Sequence, residues 1–160
     1  MAHRLSHDLD ARLVTARDAI HSATGALMRR AALQQAGRQL DERTGGSWLA
    51  EAAARAQRDQ ASQLLVLDSV RSHAQADAAL AHLGRAVLVH LRAETFERAR
   101  RFRGRVDDAD DGVDFEQIAT DALEGEADAV ASRAHLVIDT THLDLEGVFA
   151  VVSAFLEEWN

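Results

Sequence analysis

The sequence contains no cysteine, proline or tyrosine, and each of its 18 basic residues is an arginine. Without cysteine there are no disulfides and no thiolate metal ligands, and without lysine no mechanism can use a lysine ammonium group. The net charge of −8 argues against a general affinity for nucleic acid, because proteins that neutralise phosphates usually carry a basic excess. Apolar runs are far shorter than a membrane span and no signal peptide is recognisable, so we expect a cytoplasmic protein without membrane contact.

Four short apolar segments predict strands. Residues 63–68, 86–91 and 134–140 are rich in valine and leucine, as is usual for parallel strands covered on both faces, and residues 11–15 form a shorter candidate. Helical patterns separate these segments, which favours one α/β domain over residues 1–160 with a three-layer parallel sheet and helices on both faces. An all-helical bundle is the alternative, since the alanine-rich segments also favour helix.

The remaining segments are predicted to be helices or loops. The expected helices cover residues 2–10, 16–23, 26–43, 48–59, 73–83, 95–103, 115–130 and 145–159. Gly45 and Gly46 are placed to end one helix, and Asp114 to cap another. Residues 104–114 are polar and acidic and predict a loop.

The most informative single position is Asp68, which ends the apolar run at residues 63–68. Ligands of parallel sheets bind at the carboxyl ends of the strands, so Asp68 and Arg71 are placed where a site would be. Two alternatives stay open for each residue. Asp68 could hold a ligand or cap the helix at residue 73, and Arg71 could pair with Asp68 or reach a phosphate.

The order of these segments resembles a known family. The stretches "LLVLDSVR", "AVLVHLRAETFERARRFRGR" and "ADAVASRAHLVIDTT", followed by a terminal helix, resemble P-loop nucleoside and nucleotide kinases. The nearest branch is that of deoxynucleoside monophosphate kinases and dephospho-CoA kinases. By this resemblance residues 11–62 form a substrate-binding-like region and residues 93–114 a lid-like region of a single kinase-like domain.

The resemblance also implies roles for individual residues. Asp68 resembles the Walker-B aspartate, which would hold magnesium through water and take part in catalysis. Four arginines resemble the lid residues that clamp phosphates. By this resemblance Arg101 and Arg105 are catalytic residues, and Arg98 and Arg103 bind the ATP. The residues implied on the substrate side are Arg17, Asp18, Arg29 and Arg71. An ordinary solvated, charge-compensated loop also explains the lid arginines, because acidic residues follow them at 107, 108, 110 and 111.

One family motif is missing. The sequence contains no G-x-x-x-x-G-K-[ST] loop and no strand leading into one. The resemblance therefore implies ATP and Mg²⁺ as cofactors, and phosphorylation of a nucleotide-like small molecule, only if such a loop is supplied upstream; otherwise we expect an inactive domain.

The missing strand would lie in the middle of the family's sheet. We therefore expect either that residues 63–68 pair directly with residues 86–91, or that a homo-oligomer or protein partner covers the gap. The alternative function is a non-catalytic interaction or assembly protein on the same fold. A small-molecule binder that uses only the arginine cluster is a third hypothesis.

Overall fold

The computed structural model describes residues 1–59, 64–104, 115 and 129–159. The helices are α1 (Ala2–Asp8), α2 (Ala16–Thr24), α3 (Arg30–Thr44), α4 (Ser47–Asp59), α5 (His73–His82), α6 (Thr95–Gly104) and α7 (Leu145–Trp159), with a short 3₁₀ helix at Val130–Arg133. The strands are β1 (Arg12–Thr15), β2 (Leu65–Asp68), β3 (Val89–Arg92) and β4 (Leu136–Asp139). The four predicted strands are confirmed, while most of the helix predicted at 115–130 lies outside the described residues.

The strands form two separate parallel pairs. β1 lies beside β2, with Thr15 opposite Asp68, and β3 lies beside β4, with Arg92 opposite Asp139. The prediction of a mixed α/β protein with parallel strands is confirmed, and the all-helical alternative is wrong. The described residues do not form one continuous three-layer sheet, because β2 and β3 each pair with only one neighbour and not with each other.

The first core covers the β1–β2 pair with helices α2, α3 and α4. Its buried residues include Ile20, Leu33, Leu40, Trp48 and Leu49, and Leu67 of β2 packs against them. Helix α3 ends at Gly45, which has a left-handed conformation with φ of 60°, so the chain turns sharply into α4. This packing leaves the carboxyl ends of β1 and β2 bordered by the same helices.

The second core lies between the β3–β4 pair and helix α7. Ile138 packs there with Val148 and Val152, and Met1, which precedes α1, and Leu5 of α1 join the same cluster. Helix α1 also contacts both β1 and β2, so it touches both strand pairs. None of the helices in the described part of the chain combines the length and the apolar character needed to cross a bilayer.

Candidate functional site

A cavity of about 690 Å³ opens at the carboxyl ends of β1 and β2. Its size is that of a small-molecule site. Its charged lining consists of Arg17, Arg30, Arg38, Arg71, Asp18, Asp41 and Asp68, together with His3 of α1. Leu13, Ile20 and Leu33 also line it. The cavity lining therefore combines arginine and aspartate side chains with apolar ones.

Thr15 and Asp18 build the edge of the cavity where β1 becomes α2. The Thr15 hydroxyl accepts a hydrogen bond from the Asp18 backbone N–H at 3.1 Å and donates one to the Asp18 carboxylate at 2.7 Å. Such reciprocal bonds between the first turn and its capping residue stabilise a helix start. Asp18 therefore has a structural role in capping α2, and Arg17 beside it lines the cavity.

Asp68 stands half-buried at the end of β2 and lines the cavity. It does not cap α5, because the Ser72 hydroxyl accepts the hydrogen bond from the Gln75 backbone N–H at 3.2 Å. The helix-capping alternative for Asp68 is therefore wrong. Within the described residues the Asp68 carboxylate makes no hydrogen bond or ion pair, and it forms no pair with Arg71.

The corresponding aspartate at the end of β4 differs from Asp68. Asp139 accepts hydrogen bonds from the hydroxyl and the backbone N–H of Thr141, at 2.6 and 3.0 Å, and lies 3.3 Å from Arg92. The hydrogen bonds from Thr141 lower the pKa of the Asp139 carboxyl. Asp139 thus stabilises its own turn, whereas the carboxylate of Asp68 is available to a ligand in the cavity.

A hydrogen-bond network centred on Asp41 forms part of the cavity lining. The Asp41 carboxylate accepts from the Trp48 indole N–H at 2.6 Å and from the side-chain amide of Gln75 at 3.0 Å to each oxygen. Gln75 is only 5% exposed, and its carbonyl oxygen accepts from the Arg71 backbone N–H at 2.9 Å. Asp41 therefore positions the backbone of Arg71 through Gln75. Sequence reasoning missed both Asp41 and Gln75.

Arg101 lies away from the cavity and joins α6 to the segment after β4. Its guanidinium donates to the Glu97 carboxylate at 2.7 Å and to the hydroxyl and carbonyl oxygens of Thr140 at 3.0 and 2.6 Å. Glu97 and Thr140 are buried, so these bonds fix the position of α6. The structure thus gives Arg101 a structural role, and its role as a phosphate clamp stays a prediction.

The remaining predicted residues fall into three groups. Arg17, Asp18, Asp68 and Arg71 come together around the cavity. Arg29, Arg98 and Arg103 do not line it, and Arg105 lies outside the described residues. No cluster of three histidine, aspartate or glutamate side chains that could hold a metal ion occurs in the described ranges, so magnesium at Asp68 stays a prediction.

We expect replacement of Glu97 by glutamine to lower the melting temperature at pH 7 by a few degrees. Hydrogen bonds from Arg100 and then Arg101 lower the pKa of Glu97 from 4.5 to about 2. A carboxyl with a lowered folded-state pKa stabilises the fold above its unfolded pKa and loses this contribution as the pH falls toward its folded pKa. The difference in melting temperature between wild type and Glu97→Gln should therefore shrink between pH 4.5 and about 2.

Glu94→Gln is the matched control, since Glu94 is exposed at the start of the same helix. Thermal unfolding followed by circular dichroism across this pH range makes the measurement. A pH-independent difference for Glu97→Gln, or an equal effect of Glu94→Gln, would contradict the assigned network.

The comparisons with known proteins give no family assignment. No protein-family model matches the sequence, and a search of curated proteins finds no significant match.

Proposed function

We propose that the chain is a nucleotide kinase-like domain whose cavity binds a phosphorylated, nucleotide-like small molecule as the acceptor. The observation that carries this proposal is the convergence of four arginines around one accessible carboxylate. Arg17 comes from α2, Arg30 and Arg38 come from α3, and Arg71 comes from the segment between β2 and α5. Guanidinium groups match phosphate oxygens in charge and geometry.

The distribution of charge in the cavity supports an anionic ligand. The cavity is lined by four arginines and three aspartates, an excess of one positive charge, whereas the whole chain carries a net charge of −8. Two of the three cavity aspartates, Asp18 and Asp41, accept hydrogen bonds from the protein itself. The third, Asp68, can accept a hydrogen bond from a ligand hydroxyl group, while Leu13 and Leu33 suit an apolar base.

The arrangement of the strands also supports the kinase-like fold. In the family that the sequence resembles, the absent first strand would lie between the strands that correspond to β2 and β3. In the described residues β2 and β3 belong to separate pairs and do not bond to each other. Phosphoryl transfer from ATP and Mg²⁺ requires a phosphate-binding loop with its lysine. The 160 residues contain neither. The activity proposed for them is therefore binding of the acceptor without phosphoryl transfer.

Isothermal titration with AMP and dTMP, each compared with the nucleoside that lacks its phosphate, tests the cavity. We expect at least one phosphorylated compound to bind about tenfold or more tightly than its partner, since a charge-assisted phosphate contact contributes about 1.5 to 3 kcal/mol. Arg38→Ala should weaken binding of that compound by about tenfold or more.

Arg55→Ala is the matched control, because Arg55 is an exposed arginine on α4 that does not line the cavity. It should leave the affinity unchanged. The proposal is wrong if none of the phosphorylated compounds binds, if the phosphate makes no difference to affinity, or if both arginine variants weaken binding equally.

A non-catalytic interaction or assembly protein is the second candidate function. The separation of the strands into two pairs favours it, because β2 and β3 each keep one edge without a neighbouring strand in the described residues. Sheet edges of this kind pair readily with other chains. Formation of a homo-oligomer stays a prediction, which light scattering over a range of protein concentrations tests directly.

A further inference from the structure

Ser69 follows β2 with a backbone conformation that residues with a side chain rarely adopt. Its φ is +70°, and in the described ranges Asp10 is the one other residue, glycine excepted, with a positive φ. Asp10 is exposed in the turn between α1 and β1, and aspartate is among the residues that tolerate this conformation. Serine is not among them, so the conformation of Ser69 points to a local requirement of the structure around it.

The conformation of Ser69 brings two consecutive residues to one cavity. In an extended strand, consecutive side chains point to opposite faces. Asp68 and Ser69 are consecutive, yet both line the cavity at the carboxyl ends of β1 and β2. Because the left-handed backbone at Ser69 ends the extended course of β2, the alternation stops there and both residues reach the same cavity.

Neither side chain has a partner in the described part of the protein. Asp68 and Ser69 are half-buried, and among the described residues neither the Asp68 carboxylate nor the Ser69 hydroxyl makes a hydrogen bond or an ion pair. The next hydroxyl along the chain, that of Ser72, differs because it accepts from the Gln75 backbone N–H. Asp68 and Ser69 thus offer a ligand a carboxylate acceptor and a hydroxyl donor from adjacent residues.

We propose that Asp68 and Ser69 together bind a sugar hydroxyl group of the phosphorylated ligand and thereby select ligands that carry this group. The ligand hydroxyl donates to the Asp68 carboxylate and accepts from the Ser69 hydroxyl, so that donors and acceptors match. This inference deepens the proposed function of the cavity and rests on it. A site that binds a hydroxyl group discriminates against an analogue without it, because the polar groups of the site then stay unpaired.

The position of Arg71 favours a sugar hydroxyl over the hydrogen-bonding edge of a base. Arg71 lies two residues after Ser69, lines the same cavity and is one of the four arginines proposed to bind the phosphate. Its backbone N–H donates to Gln75, which Asp41 holds in turn. In a nucleotide the sugar hydroxyls lie closer to the phosphate than the far edge of the base does. Groups next to a phosphate-binding arginine therefore meet the sugar first.

The test is isothermal titration of the whole 160-residue chain, with EDTA present so that no metal ion occupies Asp68. The probes are AMP, compared with its 2′-deoxy and 3′-deoxy analogues, and dTMP, compared with its 3′-deoxy analogue. For a parent compound that binds, we expect loss of one sugar hydroxyl to weaken binding by at least about tenfold. Ser69→Gly should weaken binding of the parent by about fivefold and leave the affinity for that deoxy analogue nearly unchanged, and Asp68→Ala should act in the same way.

Two further readouts separate hydroxyl recognition from a structural role of Ser69. Glycine adopts a positive φ without steric cost, so Ser69→Gly should not lower the melting temperature. Asp10→Gly is the matched control, because it replaces the other residue of positive φ, which does not line the cavity, and it should leave every affinity unchanged.

The outcomes distinguish this inference from the proposed function. The inference alone is overturned if a parent compound binds but each of its deoxy analogues binds equally well, or if Ser69→Gly weakens the parent and the deoxy analogue to the same extent. An equal effect of Asp10→Gly on affinity also overturns it. If neither AMP nor dTMP binds, the proposed function is wrong and the inference falls with it.

Discussion

Replacement of Gly46 by alanine is expected to reduce the free energy of unfolding by about 3 kcal/mol, as overpacking adds to an unfavourable backbone conformation. Gly46 lies in the turn between α3 and α4 with φ of +85°, and a Cβ atom there would be 2.7 Å from backbone atoms of Ala74 and Gln75. Neither atom belongs to a flexible side chain, so the turn or the start of α5 must move. Urea denaturation followed by tryptophan fluorescence measures the loss.

Gly45 provides a control in the same turn. It also has a positive φ, of +60°, but a Cβ atom there would meet nothing within 4 Å. Gly45→Ala should therefore cost only about 1 kcal/mol, the cost of the left-handed conformation alone. Equal losses for the two variants would show that close packing against α5 is not what requires glycine at position 46.

Replacement of Asp41 by alanine is expected to cost about 3 kcal/mol, because it leaves two donors without an acceptor. The Trp48 indole N–H and the Gln75 amide both donate to this carboxylate, and both residues are buried. The released Gln75 would no longer hold the Arg71 backbone in place, so affinity for a phosphorylated ligand should fall as well. Chemical denaturation and isothermal titration measure the two effects.

Glu42→Ala is the matched control for this prediction, because Glu42 is the exposed neighbour of Asp41 on α3. Its effect on stability should stay within about 0.5 kcal/mol, as is usual for surface substitutions. If Asp41→Ala is as mild as Glu42→Ala, the network around Asp41 does not stabilise the fold. If Asp41→Ala lowers stability but leaves the affinity for the phosphorylated ligand unchanged, the network around Asp41 has no role in ligand binding.

The parts of the fold that could be predicted from the sequence are those with a local signal. Runs of valine and leucine are short and lie between helical patterns, so the strands and their parallel pairing could be predicted. Asp68 ends a strand, and Arg17 and Arg71 come two and three residues after strands, so the rule that ligands bind at strand ends places them near one site. All three line the same cavity.

The contacts that could not be predicted are those between residues far apart in sequence. Asp41 and Gln75 are separated by 34 positions, and nothing in either segment indicates that a glutamine of α5 bonds an aspartate of α3. Arg101 shows the same limit, because its bonds to Thr140 span 39 positions. The division into two strand pairs is also a tertiary property, since the pattern of a strand does not specify its neighbours.

Helix α1 has a consequence for how the protein unfolds. Helix α1 touches both strand pairs. A second connection is the contact between α5, which follows β2, and the 3₁₀ helix at Val130–Arg133, which precedes β4. The ion pair of Arg4 with Glu146, at 3.0 Å, and the packing of Arg4 over the Phe149 ring strengthen the attachment of α1 to α7. Cooperative melting in a single step requires both cores to lose structure together. A seven-residue helix therefore helps decide whether the molecule denatures as one unit or in two stages.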